Sequence, residues 1–309
     1  MALSMTQFRS QLEDRKKPRG QASMTNGMTE TRDEVGRTAA AANLAMFDEA
    51  GTAKYILGSP HLKYACVQQI YESLVVRLFN SAKQCAGIPR VLDLGAGEGS
   101  ATLPFLELGA HVTAVDISES QLASLQEKCG RFGERLQVRQ EPISETFKRK
   151  EERYDVVVMN SFLHHVPDYL SAVQDALSLL QSMGQFFSFQ DPLRYDTLGR
   201  GTRVFSQAAY FSWRVFQGEY VRGLKTRIRR VRGIYVAGSK EDDAEYHVTR
   251  NGVDQESIVA LLRSHDFDCE LIRYFSTQSW AFQRLGTSLG IENTFAIVAQ
   301  RGMSRNLRG

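Results

Sequence analysis

From about residue 60 to residue 301, short apolar runs alternate with longer stretches whose apolar residues recur three or four positions apart. The runs VLDL (91–94), HVTAVD (111–116), RLQVRQ (135–140), YDVVVMN (154–160), GQFFSFQD (184–191), CELIRYFST (269–277) and NTFAIVAQR (293–301) predict seven strands. The intervening stretches predict helices. A turn at Gly58-Ser59-Pro60 precedes a helix running to about Gly87, with Leu62, Ala65, Cys66, Ile70, Leu74, Val75 and Leu78 on one face. Ser118-Glu119-Ser120-Gln121 reads as a capping box opening a helix whose apolar face starts at Leu122 and Leu125. Further helices are expected over 168–183 and after the cap Asp254, the latter carrying Ile258, Leu261 and Leu262. Strands alternating with helices in this way predict a mainly parallel, doubly wound α/β sheet.

The flanks read differently. Residues 1–38 are polar and without periodicity, as in a disordered tail, and residues 39–87 supply N-terminal helices. The sheet core spans 88–191 and resumes over 251–301, with a short tail at 302–309. Between them, residues 192–250 form an insertion rich in aromatics (Tyr195, Phe205, Tyr210, Phe211, Trp213, Phe216, Tyr220, Tyr235), with a basic run over 222–232. Lying beyond the strand ends, it is expected to form a helical lid, with Tyr55 and His61 of the N-terminal helices, over a mostly apolar pocket.

Composition narrows the class. A chain of 309 residues with 42% hydrophobic and 24% charged positions can bury a large core in one or two units. No apolar run reaches the roughly 18 residues a membrane helix needs. The N-terminus lacks the apolar core of a secretory signal, and its acids argue against a transit peptide. Cys66, Cys85, Cys129 and Cys269 are too scattered for a metal or disulfide framework, which points to reduced thiols in a cytoplasmic protein with no metal site. A net charge of +3 is too small to suggest a nucleic-acid partner.

Candidate chemistry sits at the first strand–helix turn. VLDLGAGEGS (91–100) places Asp93 before Gly95, Gly97 and Gly99. A dinucleotide fingerprint would need its third glycine at position 100, where Ser100 stands, and a P-loop would need a lysine. A phosphate-free cofactor suits Asp93 better, because a carboxylate repels pyrophosphate. The next strand ends in Asp116, placed to accept two ribose hydroxyls.

These residues resemble motif I and the second-strand acid of the class I S-adenosylmethionine-dependent methyltransferases, of the small-molecule, methyltransferase-11-like kind. The resemblance covers about 60–192 and 252–301. It implies a Rossmann-like sheet in the order 3-2-1-4-5-7-6, closed by an antiparallel hairpin with a short connection. It also implies S-adenosylmethionine as cofactor and S-adenosylhomocysteine as product. Asp93, Gly95, Ala96 and Gly97 would meet the cofactor's amino-acid end and Asp116 its ribose, with Asn160 and Ser161 close by. Ile117 and Ile143 would sandwich the adenine. The family's usual adenine-binding Asp is missing; QEPIS offers Glu141 instead.

LHHVPDYL (163–170) resembles a segment of small-molecule methyltransferases, and Asn160-Ser161-Phe162-Leu163 differs from the Asn/Asp-Pro-Pro-Tyr/Phe of nucleic-acid enzymes. The expected activity is methyl transfer to a small molecule, most simply at a hydroxyl oxygen. The acceptor is acidic or carrier-linked if the basic run binds it. Methylation of nucleic acid, or cofactor binding without transfer, are the alternatives. His164 and His165 are the candidate bases, since imidazole titrates near neutrality. His61, Asp191 and Tyr195 stand as further candidates beside the acceptor, and proximity without a protein base remains open.

Overall fold

Seven strands form one sheet in the order β3-β2-β1-β4-β5-β7-β6 in the computed structural model, which describes residues 59–216 and 251–302. The strands are β1 Arg90–Leu94, β2 His111–Asp116, β3 Leu136–Gln140, β4 Tyr154–Asn160, β5 Leu180–Pro192, β6 Phe267–Tyr274 and β7 Thr294–Arg301. Strands β1 to β5 run parallel and β7 is antiparallel to both β5 and β6. The expected sheet and its order are therefore observed.

Helices cover both faces. They are α1 Pro60–Lys63, α2 Ala65–Ala86, α3 Thr102–Leu108, α4 Glu119–Cys129, α5 Ile143–Thr146, α6 Tyr169–Leu177, α7 Arg200–Phe216, α8 Gln255–Ser264 and α9 Trp280–Ser288. On one face, Val91, Val112, Ala114, Val156, Val158, Phe187 and Phe189 pack against α2, α3 and α4. On the other, Leu92, Leu94, Val157, Met159, Phe186 and Ile297 pack against α6 and α8. Strands covered on both faces must be apolar at successive positions, which explains runs such as VVVM in β4. Ser118 and Asp254 act as the caps the sequence predicts, and Asp168 caps α6 likewise; each accepts a backbone N–H three residues on.

Three expectations change. The predicted helix into Gly87 is broken at Tyr64, which is extended (φ −113°, ψ 117°), so α2 starts in a new phase. Its buried face is Val67, Tyr71, Leu74, Val75, Leu78, Phe79 and Ala82, and Leu62 is exposed. The helix expected over 168–183 ends at Leu177, because Leu180 already pairs with Tyr154 in the sheet. The last two strands are not joined by a short connection: residues 275–293 intervene and carry α9, whose Gly286 lies under the Phe275 ring.

Only the start of the insertion is described. Helix α7 buries Ala209, and its Phe205 ring packs edge-on against Phe275 and Phe282 at 5.5 and 5.3 Å. The tail 1–38, Tyr55, the basic run 222–232 and the tail beyond Gly302 lie outside the described residues. No helix among the described residues is long and apolar enough to cross a membrane.

Candidate active site

The glycine turn after β1 is pinned to β2, with the Gly95 and Ala96 N–H groups both donating to the Val115 carbonyl. Ala96 is buried, so it offers only its backbone. A side chain at Gly95 would overlap the Phe162 ring, and its φ of +74° disfavours one anyway. Gly97 differs. Its φ is +52°, yet an added Cβ would meet nothing nearer than Gln121 Oε1 at 3.5 Å. The backbone there faces room that a close-lying ligand can use.

Two buried acceptors beside this turn lack partners. The Asp93 carboxyl is 1% exposed; Oδ2 accepts from Thr102 Oγ1 at 2.7 Å, and Oδ1 has no hydrogen-bond partner. Burial raises its pKa to about 7, the Thr102 hydrogen bond opposing the shift and Asp116 adding to it. Asn160 ends β4 and donates from Nδ2 to Ser100 Oγ at 2.9 Å, while its Oδ1 is buried without a partner. Asp93 pairs with Val158 across the parallel ladder, so Asn160, two residues on, shares its face of the sheet. Unpaired buried acceptors are costly. A cationic ligand with N–H donors would satisfy both, so this donor set fits an amino-acid ammonium.

Asp116 ends β2. Its Oδ2 accepts from the Gly97 N–H and its Oδ1 from the Ser118 N–H, both at 2.9 Å. These bonds fix the carboxylate at the lip of the turn. Gln121, on the first turn of α4, is almost fully buried beside it. Ile117 follows β2 and Ile143 opens α5, and both are half-buried. Glu141 is not left as an open acceptor. Its carboxylate receives Arg149 Nη2 at 2.7 Å and Thr146 Oγ1 at 2.8 Å, and the Arg149 bond holds its pKa below the usual carboxylate range.

The histidines follow β4. Ser161 has φ 53° and donates its N–H to the Phe189 carbonyl, and a 3-10 turn over Leu163–His165 presents both imidazoles. His164 Nδ1 lies 2.8 Å from Asp191 Oδ1, which also accepts the His164 N–H at 3.1 Å; Ser188 Oγ donates to Oδ2 at 3.1 Å. Three donors thus converge on a carboxylate that is wholly buried. With Asp191 accepting, the imidazole carries its proton on Nδ1 and keeps the Nε2 lone pair for a substrate. The His165 ring lies 4.0 Å from the His164 ring, tilted by 43°.

A bulge in β5 makes this pairing possible. Register shifts between Phe189 and Asp191 around Gln190, whose φ is 69°. One extra residue turns Asp191 onto the side of Ser188 instead of that of Phe189. Asp191 is therefore paired with His164. Tyr195 is half-buried in a 3-10 turn, its N–H donating to the Asn251 carbonyl.

His61, named among the further candidates beside the acceptor, lies in α1. It is 3% exposed, with its ring 5.7 Å from Tyr71 and 6.1 Å from Phe189. Sequence reasoning missed Ser100, Thr102, Gln121, Phe162, Ser188 and Tyr71. Thr102 and Ser100 had a signal in their closeness to the glycine turn; Ser188 had none. Among the described residues no cluster could hold a metal ion.

A mixed seven-stranded sheet in this order, a glycine turn that leaves Gly97 open, and acids in β1 and at the end of β2 make up the site's frame. The chain is similar in fold and in part of its sequence to S-adenosylmethionine-dependent methyltransferases. Residues 92–186 match the family model described as a methyltransferase domain. A ubiquinone biosynthesis O-methyltransferase of Bordetella avium is 30% identical over 138 residues, 45% of this chain and 52% of that protein. One of Aeromonas salmonicida is 32% identical over 98 residues, 32% of this chain and 41% of that protein. The chain thus spans about half the length of the curated relatives it matches. The 1,6-didemethyltoxoflavin-N1-methyltransferase of Burkholderia thailandensis, solved with bound 1,6-didemethyltoxoflavin and S-adenosylhomocysteine, superposes with a TM-score of 0.51. Its identity is 20%, over 90% of this chain and 94% of that one. A magnesium protoporphyrin IX methyltransferase of Synechocystis with bound S-adenosylhomocysteine gives 0.51 at 15% identity, over 85% and 100%. At these identities the likeness is one of fold.

Proposed function

We propose that the protein methylates a hydroxyl oxygen of a small molecule, using S-adenosylmethionine. The observation that carries this reading is the His164–Asp191 pair at 2.8 Å, set at the carboxyl ends of β4 and β5, where doubly wound folds bind ligands. S-adenosylmethionine supplies a methyl group already activated on a sulfonium. The protein's work is then alignment and removal of the acceptor proton. His164 Nε2 takes that proton, and Asp191 fixes the tautomer and stabilises the imidazolium that forms. A dry, oriented base of this kind is what a hydroxyl requires and what a carbon or amine acceptor can do without.

For the cofactor, Asp93 Oδ1 and Asn160 Oδ1 take the ammonium, Asp116 the ribose hydroxyls, and Ile117 and Ile143 the adenine faces. Gly95, Ala96, Gly97 and Ser161 line the path with backbone. His165 supports the loop beside His164. Tyr195 and, outside the described residues, Tyr55 are the candidates for contacting the acceptor, and the basic run 222–232 favours one that is acidic or carrier-linked. The names of the two curated relatives above, both ubiquinone biosynthesis O-methyltransferases, support oxygen as the methylated atom. The free thiols of Cys66, Cys85, Cys129 and Cys269 suit the cytoplasm.

The test is transfer of labelled methyl from S-adenosylmethionine to a panel of phenols, catechols and hydroxyquinones, with products assigned by mass spectrometry. Methyl ethers are expected. Label found only on nitrogen or carbon contradicts the oxygen assignment, and binding of the cofactor without transfer to any acceptor contradicts catalysis.

A further inference from the structure

His61 is buried to 3% exposure, and neither of its ring nitrogens has a hydrogen-bond partner. Leaving two polar atoms dry in a folded protein costs stability, so such a group calls for a ligand. Burial lowers its pKa to about 4, so the ring is neutral at pH 7, with one N–H donor and one acceptor nitrogen.

The neighbourhood identifies what completes it. The His61 ring faces Phe189, which pairs directly with Asn160 across β4 and β5. It also faces Tyr71, whose hydroxyl donates to the Ser100 carbonyl at 3.1 Å, while Ser100 Oγ accepts from Asn160. His61 therefore closes the same corner that holds the unpartnered oxygens of Asn160 and Asp93. Those oxygens take an ammonium and nothing among them donates to a carboxylate. An α-amino acid carries a carboxylate on the same carbon as that ammonium, and the N–H of a neutral imidazole can donate to it.

Building on the proposed use of S-adenosylmethionine, we infer that His61 binds the carboxylate at the methionine end of the cofactor, closing that end of the site from α1. The assignment gives the N-terminal helices a part in cofactor binding as well as in covering the acceptor.

The test compares three ligands by calorimetry: S-adenosylmethionine, S-adenosylhomocysteine, and 5′-methylthioadenosine, which lacks the amino-acid end. In His61→Phe the first two lose about ten- to a hundredfold in affinity, as for a lost hydrogen bond to a charged group, and methylthioadenosine is unaffected. His61→Asn, which retains an N–H donor, recovers part of the loss. The ligand-free His61→Phe protein melts no lower than wild type, because two unpaired polar atoms have been removed. A merely structural histidine would instead lower the melting temperature and weaken all three ligands together. Unchanged S-adenosylmethionine affinity in folded His61→Phe overturns the inference, as does a parallel loss for methylthioadenosine. An unchanged affinity with a raised acceptor KM would move His61 to the acceptor and overturns it equally. Failure of the wild type to bind S-adenosylmethionine would defeat the proposed function itself, and this inference with it.

Discussion

Replacing His164 with Gln lowers methyl transfer by about a hundred- to ten-thousandfold, the usual worth of a positioned general base, and leaves S-adenosylmethionine affinity unchanged. The imidazole is anchored at Nδ1 by a buried carboxylate, so its proton-accepting nitrogen has one orientation. Asp191→Asn should lower the rate as well, because an amide no longer dictates the proton's place on Nδ1 or stabilises the imidazolium. It must also still receive the His164 N–H and the Ser188 hydroxyl. Single-turnover rates with saturating cofactor separate the base from the binding site. Near-normal rates in a folded His164→Gln protein would make proximity alone the better account. A folded variant that also lost the cofactor would show His164 to be a binding residue.

Asp93 gives the second large effect. Burial has lifted its carboxyl to a pKa of about 7, so near neutrality much of the ligand-free protein carries it protonated. A cation at Oδ1 favours the ionised form, which places the pKa below 7 in the complex. The sign follows: binding releases a proton, affinity is full above the ligand-free pKa, and it falls as pH drops through about 7, by at most about tenfold per unit. Asp93→Asn keeps the Thr102 hydrogen bond but has no charge to regain. It should bind about ten- to a hundredfold more weakly at pH 8, with this pH dependence removed. Calorimetry from about pH 5.5 to 8.5 on both proteins makes the comparison, the ligand's own titration being common to the two. Parallel pH profiles for wild type and Asp93→Asn would show that Asp93 does not meet the cation.

Much of this was legible in the chain because it rests on local rules. The apolar runs and the capping residues at 118 and 254 predicted the strands and helices, while the order of the strands came from the family resemblance; the sheet in that order brings Asp93, Gly97, Asp116 and Asn160 to one edge. What escaped rests on long-range or cooperative features. The phase of α2 depends on a single extended residue, Tyr64, that no propensity signals. The pairing of His164 with Asp191 depends on a bulge at Gln190, where a glycine would have announced the positive φ and a glutamine does not. Glu141 looked like an open acceptor until Arg149, eight residues away, closed on it. Gly95 must also stay bare for a distant partner, the Phe162 ring, which fills the space a side chain would need.

The central claim is that this fold holds S-adenosylmethionine at the glycine turn with Asp116 on the ribose. Titrating S-adenosylmethionine into the wild type and into Asp116→Ala tests it directly. The wild type should bind one equivalent. The variant, losing a charged hydrogen bond of about 1.5–3 kcal/mol, should bind about ten- to a hundredfold more weakly while remaining folded. No binding by the wild type, or equal affinity in a folded Asp116→Ala protein, would contradict it.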